Sequence, residues 1–117
     1  MIKQGEIYLV NFAKKYQSEF GKIRPAVVMQ NNFLNRALDE NIYQSVLVIP
    51  LTTDLKGGDF RLKIEARDKL KEPCECVANW VCTLDIKRFD MSVGTLSILK
   101  EDELVSLKEK LCNIMES

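Results

Sequence analysis

The side chains best suited to chemistry sit beside two prolines. Arg24 precedes Pro25, and Thr52 and Thr53 follow Pro50. Proline has no amide hydrogen, so Pro25 belongs at the start or edge of a strand. It also forces Arg24 into an extended backbone. Pro50 marks where another strand stops pairing, leaving Thr52 and Thr53 just past its end. If these strands are antiparallel neighbours, the start of one lies beside the end of the other. Arg24 and Thr52 then converge on one rim. Two polar loops, 13–22 and 52–59, flank that rim and bring Lys14, Lys15, Lys22, Lys56 and Glu19. An arginine, two hydroxyls, lysines and a carboxylate suit a phosphate better than an apolar ligand. A plainer reading stays open, because Arg-Pro pairs are common and loop lysines are usually only solvated.

Composition limits what such a site can do. The chain has 117 residues, with 17 Lys and Arg against 17 Asp and Glu, four cysteines and no histidine. One domain, 1–117, is expected at this length. The lack of histidine removes Ser-His and Cys-His nucleophile pairs, His-ligated metals and two-histidine phosphodiester chemistry. Cys74, Cys76, Cys82 and Cys112 do not follow Cys-x2-Cys zinc spacing, and small buried hydrophobes are the expected role. The zero net charge hides a gradient: residues 1–90 carry a net +2 and residues 91–117 a net −2. The N-terminal segment lacks the apolar stretch of a signal peptide, and no apolar run approaches the ~20 residues that span a bilayer. A cytoplasmic protein with no membrane contact is expected.

The elements that must position the site follow from periodicity. Residues 6–12, 23–30, 44–51, 60–65, 75–81 and 92–96 read as strands. The run Val46 to Ile49 does not alternate, so both faces of that strand should be buried. Asn31, Asn32 and Asn35 read as a turn or short irregular segment, and 83–90 as a turn or single helical turn. From about Lys100 the period changes: Leu104, Leu107, Leu111 and Ile114 make one helical stripe. Acidic residues at 101–103 and lysines at 108 and 110 suit the helix dipole. The expected fold is mainly β with a C-terminal α-helix, a strongly curled small barrel.

Taken in order, Gly5-Glu6-Ile7, Ser18-Glu19 through Arg24-Pro25, Pro50-Leu51-Thr52-Thr53 and Thr83-Leu84-Asp85 resemble the MazF/PemK family. These are endoribonuclease toxins of bacterial type II toxin–antitoxin pairs. The resemblance spans nearly the whole chain. It implies an SH3-like small barrel with a strongly twisted antiparallel sheet, and a homodimer. It also implies cleavage of single-stranded RNA (mRNA) at short sequences, without a metal or other cofactor. The ribose 2′-hydroxyl would attack the adjacent phosphate, leaving a 2′,3′-cyclic phosphate and a 5′-hydroxyl. Arg24 and Thr52 match the family's catalytic Arg and Thr, and Glu19 matches its loop Glu. A cognate antitoxin with an acidic, disordered tail is the implied protein partner.

The residue chemistry agrees. A forked guanidinium suits the charge that develops on phosphoryl oxygens, and a threonine hydroxyl can donate to the same phosphate. A guanidinium is a poor general base near neutral pH, so Glu19 is the candidate base. Lys22, Thr53, Lys56, Asn31, Asn79 and Trp80 are candidate RNA contacts. Trp80 could stack on an unpaired base or pack as a core or dimer-interface aromatic. Asn31 could read a base edge or simply form a turn. Tyr16 and Phe20 could cover substrate. Relatives often carry Gln-x-Arg or an Arg/Asp pair before the Thr-Leu-Asp stretch, where this chain has Asn79-Trp80-Val81-Cys82. Two other readings share the small-barrel fold: a gyrase-binding toxin of the CcdB kind, and a non-catalytic RNA-binding module. The chain's ending, Met115-Glu116-Ser117, lacks the aromatic-glycine-aliphatic signature of the former.

Overall fold

The computed structural model describes residues 2–12, 23–40 and 44–116. The 13–22 loop expected from the sequence, with Lys14, Lys15, Tyr16, Glu19, Phe20 and Lys22, lies outside the described residues.

Seven strands form one antiparallel sheet: β1 (Glu6–Asn11), β2 (Ile23–Val28), β3 (Ser45–Thr52), β4 (Arg61–Ile64), β5 (Cys74–Val77), β6 (Cys82–Asp85) and β7 (Thr95–Ile98). Two helices complete it, α1 (Asn32–Asp39) and α2 (Glu101–Met115). The strand order is β4-β5-β3-β2-β1-β7, and β6 also pairs with β3. One edge of β3 is therefore shared. Ser45 to Val48 pair with β6, while Leu51 and Thr52 pair with β5. A single 3-10 turn, Ala78–Trp80, separates the two partners. Serving two strands along one edge requires β3 to bend, which curls the sheet. The mainly β architecture with a C-terminal helix is as the sequence predicts.

The period of two along the central strands fills a core on each side. Ile7, Val27, Ile49 and Leu51 point into one cluster, where Leu107 of α2 is fully buried and Leu104, Leu111 and Ile114 pack against it. Tyr8, Val10, Ala26, Val28, Val46 and Val48 point into the other, with Phe89. Both faces of β3 are buried, which explains its unalternating apolar run. Burying a side chain such as Leu107 contributes about 1.5–3 kcal/mol. The first turn of α2 carries Glu101, Asp102 and Glu103. Glu103 accepts the Lys100 amide at 2.8 Å and both prongs of the Arg67 guanidinium at 2.7 and 2.9 Å. That pair ties the helix start to the sheet. The lysines at 108 and 110 stop short of the last turn, and Lys110 donates instead to the Asp59 carbonyl at 3.1 Å. No helix among the described residues is long and apolar enough to cross a membrane.

Four sequence expectations are corrected. The asparagines after β2 do not make a turn; they build α1. Asn31 caps it, its Oδ1 accepting the Leu34 amide at 2.9 Å. Asn35 is fully buried, bonded to Gln30 and Asn32. Gln30 in turn accepts the Leu47 amide at 3.0 Å. Residues 82–85 are a strand rather than a turn, because Cys82 and Leu84 alternate inward along β3. A 3-10 turn, Ile86–Arg88, follows, capped by Asp85 accepting the Lys87 amide at 2.8 Å. The strand expected over 75–81 ends at Val77, so Asn79 and Trp80 stand on a turn. The last strand starts at Thr95, after Gly94 takes φ +79°.

Candidate active site

A cavity opens where the β2–β3 ladder stops. Ala26 pairs with Pro50, and that is the last pair of the β2–β3 ladder. Beyond it each strand has a proline or has turned to another partner. Pro25 offers no amide to β3, and Leu51 and Thr52 pair with Cys76 and Glu75 on β5. The strands therefore part at this end while β2 stays paired to β1, with Arg24 opposite Val10. Carried past its last pair, the register sets Arg24 across the opening from Thr52. A cavity of about 290 Å³ fills the gap, lined by Ile23, Arg24 and Pro25 on one side and Leu51, Thr52 and Thr53 on the other, with Cys74. That volume is at the low end for ligand pockets.

Within it, Arg24 is half-buried and its Nε is shielded from solvent. Low local polarity strengthens a guanidinium's pull on an anion. Thr52 is half-buried, and its Oγ1 accepts the Asp54 amide at 3.1 Å. That bond fixes the hydroxyl oxygen and leaves its proton to donate. Thr53 is exposed at the rim. Cys74 is buried and its thiol hydrogen-bonds the Glu72 carbonyl at 3.3 Å. Burial, with the Glu72 charge nearby, pushes that thiol up from its ordinary value. Among the described residues the cavity thus offers a guanidinium, hydroxyl donors and an apolar wall, an arrangement that can grip a phosphodiester and part of a sugar.

The remaining candidates fall elsewhere. Lys56 is exposed, with its Nζ 3.5 Å from Asp54, and it does not line the cavity. Of the four lysines expected on this rim, it is the one among the described residues. Asn31 is engaged in capping α1 and Asn79 is exposed on the turn after β5. Trp80 is half-buried beside it, with the Arg61 guanidinium 5.5 Å from its ring centroid. Glu19 and Lys22 lie outside the described residues. Among the described residues no three His, Cys, Asp or Glu side chains gather.

Sequence reasoning missed Glu75. It is buried, 4% exposed, and sits directly across from Thr52 on β5. Its carboxylate accepts the Lys56 amide at 3.0 Å, the Gly57 amide at 3.0 Å and Arg61 Nη1 at 2.9 Å. Burial alone would raise its pKa. The bonds from Arg61 and the two amides outweigh burial and hold the carboxyl below its ordinary value. The signal was present in Cys74-Glu75-Cys76-Val77: an acid inside an apolar strand must be paired to be buried.

Comparison with known proteins shows the family. A family model described as PemK-like, MazF-like toxin of type II toxin–antitoxin system matches residues 3–115. The Staphylococcus epidermidis endoribonuclease MazF is 25% identical over 114 residues, covering 95% of this chain and 88% of that one. The crystal structure of MazF from Deinococcus radiodurans superposes with a TM-score of 0.76 at 22% identity, covering 97% of this chain and 96% of that one. A MazE–MazF structure from the same organism gives 0.70 at 21% identity, covering 97% and 94%. With the family matched over nearly its full length and the curled sheet shared, the chain belongs to the PemK-like, MazF-like toxins of type II toxin–antitoxin systems.

Proposed function

We propose that the chain is an endoribonuclease that cleaves single-stranded RNA, with the scissile phosphate seated between Arg24 and Thr52. The observation that carries this reading is the opening between β2 and β3, where those two side chains line one cavity. Its relative from S. epidermidis is named an endoribonuclease, which supports the same reading.

The reaction asks little of the protein beyond charge and protons. A base takes the proton of the ribose 2′-hydroxyl, and the oxygen attacks the adjacent phosphorus. Negative charge builds on the phosphoryl oxygens of the five-coordinate state. Arg24 answers it with a planar, permanently charged fork, and Thr52 adds a hydrogen bond to the same phosphate. The P–O5′ bond then breaks, and the leaving oxygen takes a proton. The products are a 2′,3′-cyclic phosphate and a 5′-hydroxyl. Donors of this kind are each worth about 10²–10³ in rate. Glu19 is the proposed base. Lys22, Thr53 and Lys56 are proposed to hold neighbouring phosphates, and Asn31, Asn79 and Trp80 remain proposed base contacts.

Solved MazE–MazF structures among the neighbours support an antitoxin partner for this chain too, its acidic segment laid over the cation of the cavity. Pairing as a homodimer in the cytoplasm completes the proposal. The test is direct. Purified protein and an Arg24→Ala variant are incubated with a long single-stranded RNA in EDTA. Cuts with 5′-hydroxyl ends, lost in the variant, support the reading. An intact RNA with the wild-type protein overturns it, and gyrase inhibition in that case would point to the CcdB-like alternative.

A further inference from the structure

The loop that leaves β3 directly after Thr52 is wrapped around one side chain. Asp54, Lys56 and Gly57 span only a few residues, and each is tied to Glu75 or to its partner Arg61. Glu75 takes the Lys56 and Gly57 amides, and Gly57 reaches both carboxylate oxygens, at 3.0 and 3.3 Å. Arg61 Nη1 bonds both Glu75 at 2.9 Å and the Asp54 carbonyl at 2.9 Å. Gly57 and Gly58 adopt φ +69° and +112° with open space where a side chain would stand. The successive Lys56 and Gly57 amides converge on one anion, as backbone amides do in anion-binding turns. Here the anion is the protein's own carboxylate. The Asp54 amide meanwhile holds Thr52 Oγ1. A chain of contacts therefore runs from Glu75 through the loop to the hydroxyl in the cavity.

We propose that Glu75, with Arg61, is a positioning residue that clamps the Thr52–Gly58 loop and so fixes the Thr52 hydroxyl for phosphate in the Arg24 cavity. This rests on the nuclease reading given above. Glu75 touches no substrate; it acts through Asp54 and Thr52. Its carboxylate is fully committed to donors from the protein, so it serves as an anchor and not as a proton acceptor in the reaction. Loss of the clamp displaces a donor needed only when charge develops, so it should lower kcat and leave KM nearly unchanged.

Two variants approach the clamp from opposite sides. Glu75→Gln keeps shape but cannot satisfy every donor around it. Gly57→Val lies on an exposed loop and forces a β-branched residue out of φ +69°, pulling its amide off Glu75. Each is measured by steady-state cleavage of an oligoribonucleotide and by hydrogen exchange at the Lys56 and Gly57 amides. The expected result is faster exchange at both amides with β1 and β2 still protected, kcat lower by about 10- to 100-fold, and KM within about threefold. Accelerated exchange with wild-type kcat overturns the positioning role. Exchange unchanged in both variants overturns the clamp itself. Should Glu75→Gln fail to fold, Gly57→Val decides alone. Should the wild-type protein cut no RNA, the nuclease reading is what falls. Exchange then still judges the clamp, supported by release in the variants and overturned by unprotected amides in wild type.

Discussion

Replacing Thr52 by valine removes one oxygen and almost nothing else. The two side chains have nearly the same shape, and valine is at home at the end of a strand. In the folded protein the lost oxygen accepts one backbone amide, from Asp54 at 3.1 Å. That bond is exposed, and water can replace it, so its loss costs about 1 kcal/mol. A domain with total stability of about 5–15 kcal/mol stays more than 99% folded after such a loss. The Tm should fall by about 4 °C. The effect on the reaction is larger. Removing one fixed donor from a developing oxyanion costs about 10²–10³ in kcat, or about 2.7–4 kcal/mol. Unfolding therefore cannot mimic the kinetic loss, and the two effects separate cleanly. The assay is single-turnover cleavage of a fluorescent oligoribonucleotide, alongside thermal melts. Thr52→Ser, which restores the hydroxyl, should recover most of the rate. Thr52→Val cleaving within about threefold of wild type would refute the role given to the hydroxyl, whatever the melts show.

Two further outcomes follow from the ionisable groups. Glu75 is held below its ordinary pKa of 4.5 by Arg61 and the loop amides against the opposing effect of burial, and Glu103 is held below 4.5 chiefly by Arg67. Each therefore adds stability that is fully present above pH 4.5 and is lost as pH falls through the folded-state values. The urea midpoint should be flat from pH 7 to 5 and drop below 4.5, with Glu103→Gln shallowing the drop; an unchanged slope would refute this. Burial pushes the Cys76 thiol up to about 12, helped by its neighbours Cys74 and Glu103, while Cys112 is exposed. A thiol reagent at pH 7.5 should label Cys112 first and Cys76 only on unfolding, as mass spectrometry of peptides would show.

What the sequence reveals depends on how local the cause is. The opening between β2 and β3 was legible because proline acts on its own strand. Pro25 removes an amide, and an antiparallel pair then brings Arg24 near Thr52; Pro50 does not end its strand as the sequence suggests, because β3 runs on to Thr52, which pairs with Glu75. The stripe of α2 was legible for the same reason. Helix α1 was not. Its asparagines have weak helix propensity, and their contribution depends on Gln30 and the Leu47 amide, which only the folded sheet brings near. Glu75 was hidden in the same way. Its partners lie 14 to 19 residues away along the chain, and no window around Cys74-Glu75-Cys76 contains them. The element carrying Trp80 was misread. Reading 75–81 as a continuous strand put Trp80 on that strand, whereas it stands on the 3-10 turn at 78–80 with the Arg61 guanidinium near its ring.

The proposed reaction needs a base for the 2′-hydroxyl, and the described groups around the cavity do not supply one. Of the described residues lining the cavity, the titratable ones are a guanidinium and the Cys74 thiol. The guanidinium is a charged acid, and the thiol is pushed up by burial and hydrogen-bonded to a carbonyl. Glu75 stands across from Thr52, yet four hydrogen bonds make its carboxylate a weaker base than a free one. The chain has no histidine to fill the gap. Glu19, which precedes β2 in the sequence, is the carboxylate proposed for the 2′-hydroxyl. Glu19→Gln should lower kcat by about 10²–10⁴ and flatten the acid limb of the pH–rate profile. Glu75→Gln should lower kcat with that limb intact, since its role is to hold a loop. A Glu19→Gln protein that cuts RNA at the wild-type rate, or that keeps the acid limb, would remove Glu19 from the reaction. The base would then have to come from solvent or from a second copy of the chain.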